Sequence, residues 1–141
     1  MKRRALASIA LLACTAGMAS AADKPMAVVR DLAARWTAAY NNGDAAKVAE
    51  LYAIDATFLS GVLGALKGRQ DIEAAISRSV KQLPRITFIA REAHQDGDVL
   101  WGYWDYTFAD GPSGYGAITA VREAGVWRIA QHVSNVKPKA Q

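Results

Sequence analysis

The second half of the chain is divided into four strand-like segments by short turn sequences, and this pattern constrains the fold more than any other feature. Aromatic and β-branched residues fill the segments, which are residues 85–95, 99–109, 115–123 and 126–137. They are separated by residues typical of tight turns: Asp96-Gly97, Asp110-Gly111-Pro112 and Ala124-Gly125. Successive strands joined by tight turns predict an antiparallel meander.

Helical periodicity occupies most of residues 25–83. A first helix, which Pro25 can begin and Gly43 can end, carries apolar side chains on one face: Met26, Val29, Ala33, Trp36 and Tyr40. Asp44 suits the N-cap of a short second helix, and a third helix is predicted from Arg69 until just before Pro84. Residues 56–59 predict a brief strand, and residues 60–68, with three glycines, predict a loop. The sequence therefore predicts an α+β fold with three N-terminal helices packed on a curved, mainly antiparallel sheet.

Residues 1–21 have the features of a cleaved secretory signal. A basic start is followed by an apolar run at residues 5–13 and by the small residues Ala19-Ser20-Ala21. The apolar run is shorter than the roughly 20 residues that a transmembrane helix needs. We expect a periplasmic or secreted protein in which residues 22–141 form a single domain. In the alternative, residues 11–14 are a lipoprotein cleavage site, and the protein is anchored through a lipid on Cys14.

Charge and cysteine content argue against two classes of function. Three of the 17 Lys and Arg, and none of the 13 Asp and Glu, lie in residues 1–21, so the remaining chain has a net charge of +1. This balance gives no support to a nucleic-acid partner. The only cysteine, Cys14, leaves with the signal, so the exported domain has neither a thiol nucleophile nor a cysteine-based metal site.

The segment 99–108 is apolar or aromatic on both of its faces. One face can lie against the helices, while the other needs a different cover, because soluble monomers rarely expose a large apolar patch. The pattern predicts a homodimer through the sheet face. A C-terminal strand or a loop folded over this face is the alternative.

Several short motifs, taken in order, resemble the nuclear transport factor 2-like superfamily and its SnoaL-like branch. They are residues 36–44 (WTAAYNNGD), 51–58 (LYAIDATF), 67–72 (KGRQDI) and 125–129 (GVWRI), the last of which leads to His132. The resemblance implies a cone of three helices against a bent sheet that encloses a pocket. It also implies a range of functions, which includes ketosteroid isomerases, polyketide cyclases, dehydratases, epoxide hydrolases and non-catalytic association domains. Some similar bacterial sequences are labelled SgcJ/EcaC family oxidoreductases.

Three residues are candidates for acid–base chemistry in such a pocket. Asp105 lies among aromatic residues, and burial there would raise its pKa; if it points outward, it is an interface or surface charge. His132 matches a histidine near the end of the last strand in many SnoaL-like sequences. Strand alternation, however, places it opposite Trp127 and Ile129 unless a bulge intervenes. Asp55 matches an acid in related sequences, although its carboxylate could equally bond backbone amides.

The expected ligand is a small organic molecule, for which aromatic walls with hydroxyl tips are suited. The predicted lining residues are Trp36, Tyr40, Tyr52, Phe58 and Tyr103. No cofactor is implied, and two isolated histidines make a weak metal site. The glycines of residues 111–116 lie between strands and predict a turn, not a dinucleotide-binding motif. The leading hypothesis is an exported, ligand-binding domain with acid–base activity as an option; the alternative is a non-catalytic dimerisation or accessory domain.

Overall fold

A computed structural model of the chain describes residues 24–138. The predicted signal peptide and Cys14 lie outside these residues. The elements, in chain order, are α1 (Pro25–Asn41), α2 (Ala45–Ala49), β1 (Tyr52–Ser60), β2 (Gly64–Lys67), α3 (Gly68–Gln82), β3 (Ile86–Asp96), β4 (Val99–Phe108), β5 (Ser113–Glu123) and β6 (Val126–Val136).

The six strands form one sheet in the order β2-β1-β6-β5-β4-β3. The last four strands are the predicted antiparallel meander. Strand β1 joins it by pairing parallel to β6, and β2 folds back antiparallel on β1. The early part of the chain therefore lies beside the end of β6, which brings residues far apart in sequence into one region.

The helices cover one face of this sheet, which we call the inner face. Pro25 stands in the first turn of α1, and the Asp44 side chain caps α2 by accepting the Lys47 amide at 3.0 Å. Helix α1 packs mainly on β3, and α3 packs on β1 and α2. The Asn41 side chain joins the end of α1 to the start of β3, because it both accepts from and donates to the Ile86 backbone at 2.8 Å.

The prediction of an α+β fold with helices on a curved, mainly antiparallel sheet is confirmed at this level. The grouping of three N-terminal helices is not matched, because β1 and β2 separate α2 from α3. Residues 64–67 were expected in a loop but form the edge strand β2, which pairs with the distal end of β1. None of the helices within residues 24–138 is long and apolar enough to cross a membrane.

The opposite, outer face of the sheet carries aromatic side chains that no helix within residues 24–138 covers. Trp101 and Tyr103 on β4 and Tyr115 on β5 are 45%, 38% and 49% exposed. In the described part of the chain, residues 99–108 thus have one apolar face buried in the core and one apolar face exposed.

Candidate functional site

A β-bulge in the first half of β6 places His132 inside the fold. Thr119 pairs with Gln131 while the next residue of β5, Ala120, pairs with Ile129, so Ala130 is an extra residue in β6. An extra residue reverses the alternation of side chains beyond it. Ile129 and His132 therefore share the inner face, where His132 is only 2% exposed. The sequence placed His132 opposite Trp127 and Ile129 unless a bulge intervened, and the structure has that bulge.

The His132 ring is held by a chain of buried hydrogen bonds. Trp36 Nε1 donates to Tyr52 Oη at 3.0 Å, and Tyr52 Oη lies 2.8 Å from His132 Nδ1. An indole nitrogen can only donate, so the Tyr52 oxygen accepts from Trp36 and its own proton is left for Nδ1. His132 Nδ1 therefore accepts, and the proton of the neutral imidazole is on Nε2.

Burial keeps this imidazole neutral. It lowers the pKa of His132 to about 3, because the charged form would lose its hydration. Phe58 stacks on the ring at 4.2 Å between centroids, with 6° between the planes. Burial also raises the pKa of Tyr52 far above its usual value, so the hydroxyl remains protonated as a donor. At neutral pH both groups act as hydrogen-bonding groups without charge.

Arg69 fixes the backbone from which Tyr52 projects. Its Nε and Nη2 donate to the Tyr52 carbonyl oxygen at 3.1 and 2.6 Å from the first turn of α3. The pairing of β1 with β6 is irregular between Tyr52 and Thr57, so a strand partner does not hold this carbonyl in a regular ladder. The guanidinium supplies the missing bonds and links α3 to the Tyr52–His132 pair.

A cavity of about 90 Å³ lies between the helices and the inner face of the sheet, and His132 forms part of its wall. Aromatic side chains make up much of the rest: Trp36, Tyr40, Phe58, Phe88, Tyr106 and Phe108. One enclosed water needs roughly 10–15 Å³ of such volume, so the cavity has room for about six to nine non-hydrogen atoms. It is smaller than the usual ligand pocket of roughly 300–1,000 Å³.

The polar groups of the cavity are few and neutral. Tyr40 Oη and Ser79 Oγ are hydrogen bonded to each other at 2.8 Å, and Ser60 and Ser134 also reach the wall. Burial raises the pKa of Tyr40, and the bond to Ser79 partly opposes this. Among the described residues, no Asp, Glu, Lys or Arg lines the cavity.

Two glycines of β5 make room for the aromatic rings behind the cavity. A Cβ on Gly116 would lie 2.2 Å from Trp104 Nε1 and 2.9 Å from His132 Nε2, and one on Gly114 would lie 2.4 Å from Tyr106 Oη. Gly114 was expected in a turn and Gly116 where that turn meets the predicted strand of residues 115–123, yet both belong to the strand. The sequence signal was present, since glycines two residues apart share one face of a strand and there mark a close approach by another group.

The sequence candidates are distributed over three locations. Three of the predicted lining residues, Trp36, Tyr40 and Phe58, border the cavity, and Tyr52 lies behind His132, fully buried. Tyr103 is on the outer face and does not line the cavity. Asp55 is exposed in the irregular part of β1. The structure thus brings together His132 and four of the five predicted lining residues.

Asp105 points away from the cavity. It pairs across the strands with Ile89 and Tyr115, both exposed on the outer face. Its carboxylate forms an ion pair with Arg91 at 2.7 Å and lies 3.8 Å from Lys137 Nζ. Of the two orientations considered from the sequence, the structure has the outward one. Within residues 24–138 there is also no cluster of three His, Cys, Asp or Glu side chains that could hold a metal ion.

Comparison with solved structures shows the fold that surrounds this site. Rv3472 of Mycobacterium tuberculosis, a protein of unknown function, is 20% identical over 79% of this chain and 71% of its own, with a TM-score of 0.69. A Nostoc punctiforme domain of unknown function with a cystatin-like fold is 14% identical over 80% and 77%, with a TM-score of 0.71. An NTF2-like protein of unknown function from Pseudomonas putida is 18% identical over 78% and 84%, with a TM-score of 0.66.

These similarities define the class: the chain has the nuclear transport factor 2-like, or cystatin-like, fold. At such identities they show the fold alone. The family model described as "SnoaL-like domain" matches residues 33–132, and the chain belongs to that family. A search of curated proteins gives no match.

Proposed function

We propose that this chain is a SnoaL-like domain that binds a small, mainly apolar organic molecule in the cavity beside His132. One observation carries this proposal: a neutral imidazole with a fixed tautomer lies in the wall of a cavity otherwise built from aromatic, aliphatic and hydroxyl side chains. An ordinary core would fill this volume with side chains. A few oriented polar groups in an apolar cavity are what ligand sites typically have.

The geometry favours binding over acid–base turnover. Because Nδ1 of His132 is occupied by the Tyr52 hydroxyl, Nε2 carries the proton and presents a donor. A general base needs a free lone pair close to the substrate proton, and Nε2 would gain one only if the Tyr52–His132 pair reversed its direction of donation. Asp105, the other leading candidate, is on the opposite face of the sheet.

An NMR titration of the domain with neutral molecules of six to nine non-hydrogen atoms tests this function. We expect amide shifts to concentrate around the cavity residues Phe58, Phe88 and His132. Leu63→Trp, which adds bulk at a half-buried wall position, should abolish the shifts. Val126→Trp, at an exposed position outside the cavity wall, is the matched control. Shifts that persist in Leu63→Trp, or that map to another surface, would contradict the proposal.

A homodimer formed through the outer face is a second proposal and corresponds to the association-domain alternative. Its support is the group of exposed apolar side chains on three adjacent strands, Ile89, Trp101, Tyr103 and Tyr115. Sedimentation of the domain at micromolar concentration should give a dimer that Tyr103→Arg dissociates. Val62→Arg, also at an exposed apolar position but in the loop between β1 and β2, should leave the dimer intact. A wild-type monomer would refute this assembly.

Export is the third part of the proposed function. The basic start, apolar run and Ala19-Ser20-Ala21 of residues 1–21 support a cleaved signal. Mass spectrometry of the protein isolated from its host should find a mature chain that begins at Ala22. A lipid-modified Cys14 at the N-terminus would instead establish the anchored form.

A further inference from the structure

One part of the cavity wall carries a serine where the packing of its helix favours an apolar residue. The buried stripe of α3 consists of Ile72, Ala75, Ile76 and Ser79, a spacing that turns one side of a helix toward the core. Ser79 is only 5% exposed, and it lines the cavity together with Tyr40 of α1, which is 3% exposed. The helices therefore present two buried hydroxyls to the cavity, which we call the hydroxyl pair.

The hydroxyl pair has one proton without an acceptor. Tyr40 Oη and Ser79 Oγ lie 2.8 Å apart, and within the described residues they bond to each other and to no third group. Each hydroxyl has one proton to donate, and burial raises the pKa of Tyr40, so both protons are present at neutral pH. Whichever oxygen donates to the other, one proton remains unbonded. A buried donor in that state is destabilising, so proteins nearly always pair it with another group, with water or with a ligand.

The other polar groups of the wall are less well placed to orient a ligand. Tyr106 Oη already donates to a backbone carbonyl of β6 at 3.1 Å. His132 Nε2 lies beside β5, 2.9 Å from the position that a Cβ would take on Gly116. Ser60 and Ser134 are only partly buried, so water can reach them. The hydroxyl pair is thus the group of the wall that combines deep burial with a proton still to donate.

The charge of the wall restricts the class of ligand further. No ionised side chain borders the cavity within the described residues, and the transfer of an unpaired ion from water into such surroundings is strongly unfavourable. Carboxylates, phosphates and amines are therefore poor ligands for this site. The oxygen of a neutral molecule, by contrast, can accept the hydrogen bond without carrying a net charge into the cavity.

On the basis of the function proposed above, we infer that the ligand is a neutral molecule with an apolar body and an accepting oxygen, and that the hydroxyl pair of Tyr40 and Ser79 binds this oxygen. The oxygen accepts the hydrogen bond that neither hydroxyl uses, while the apolar body packs against the aromatic rings of the wall. Tyr40 and Ser79 are then specificity-determining residues, which favour an oxygenated molecule over a hydrocarbon of the same shape.

Two probes of nearly the same shape test this inference. Cyclohexanone has an oxygen where methylenecyclohexane has a CH₂ group. The ratio of their dissociation constants is compared between variants, because the stronger hydration of the ketone then cancels. In Tyr40→Phe/Ser79→Ala the relative affinity for the ketone should fall by about threefold to tenfold, the factor expected from one net hydrogen bond. Tyr103→Phe/Ser77→Ala makes the same two changes at positions outside the cavity wall and should leave the ratio unchanged.

Nuclear Overhauser contacts on the wild-type domain report the orientation of the ketone without any substitution. The methylene protons that flank the carbonyl of bound cyclohexanone should give contacts to the side chains of Tyr40 and Ser79. Cyclohexanecarboxylate, which carries its oxygens on a similar ring but is ionised, should bind more weakly than the ketone.

The outcomes separate this inference from the proposed function. An unchanged ratio in a folded Tyr40→Phe/Ser79→Ala variant, contacts that place the carbonyl at another part of the wall, or tighter binding of the carboxylate would overturn the inference and leave a pocket function in place. If none of the three probes binds, the proposed function fails together with it. If the double variant does not fold, the wild-type contacts decide.

Discussion

Stability should depend on pH through one buried histidine. The sequence contains two histidines, and only they have side chains that titrate near pH 6 when unperturbed. His94 is exposed beside Glu92, whereas His132 is enclosed by Phe58, Tyr52 and Trp104. No acidic side chain is hydrogen bonded to the His132 ring among the described residues, so nothing in the fold compensates a proton added to it.

The size and sign of the effect follow from the two pKa values. In the unfolded chain a histidine titrates near 6.5, while burial lowers the pKa of His132 in the folded state to about 3. Between these values the unfolded state binds more protons, so the free energy of unfolding increases with pH. The contribution is fully present above about pH 7 and is lost progressively as the pH falls toward 3. At pH 5 the loss is about 2 kcal/mol relative to pH 8.

Urea unfolding of the mature domain between pH 5 and 8 measures this loss. Most carboxylates titrate near pH 4 and contribute little to this window. His132→Gln, which removes the titrating ring, should be less stable at pH 8 yet nearly independent of pH down to 5. His94→Gln should retain the wild-type slope. A wild-type loss below about 0.5 kcal/mol would show that His132 titrates in the folded state near its unfolded pKa, and a slope that persists in His132→Gln would assign the pH dependence to another group. Either result would refute the reasoning.

Three substitutions should have distinct effects on stability, each measured by urea unfolding. Gly116→Ala should destabilise the domain by about 1–3 kcal/mol because its Cβ meets two ring nitrogens. Gly61→Ala is the control and should have little effect, because its Cβ meets no atom within 4 Å. Similar losses of stability in both variants would rule out the steric explanation. Tyr52→Phe should lower the free energy of unfolding by about 1–3 kcal/mol, because two buried nitrogens lose the hydroxyl that is their partner. An unchanged stability would mean that water replaces the hydroxyl. Asp105→Asn should change stability by less than about 1 kcal/mol, as for other partly exposed ion pairs. In the NMR titration it should leave the amide shifts of the cavity residues unchanged, and a loss of those shifts would place Asp105 in the site after all.

The element order could be predicted from the sequence because local signals agree with the fold. The turns at Asp96-Gly97 and Ala124-Gly125 lie where β3 ends and β6 begins, and both glycines have positive φ. Asp44 caps α2 as predicted. Strand β2 was missed because it has only four residues and lies within the glycine-rich residues 60–68. Its strand conformation depends on pairing with the edge of β1, and local sequence encodes such tertiary pairing only weakly.

The site was harder to predict because its geometry depends on irregularities in pairing. In β4 the register with β5 is unbroken from Val99 to Thr107, so alternation correctly groups Tyr103 with Asp105. Aromatic residues on both faces, however, give no indication of which face the helices cover. In β6 the extra residue Ala130 reverses the alternation, and no glycine or proline in that strand marks the bulge.

This bulge is what gives the fold a site at all. With regular pairing through Ala130, His132 would face outward, Tyr52 would lose its acceptor, and the inner face at that position would carry Gln131 or Val133. The proton of the imidazole could then not be fixed on Nε2 by Trp36 and Tyr52. A local departure from regular structure is destabilising unless other contacts hold it, and such departures concentrate at functional sites. The bulge at Ala130 turns His132 into the wall of the cavity, and the ligand proposed for this cavity would account for the retention of this irregularity.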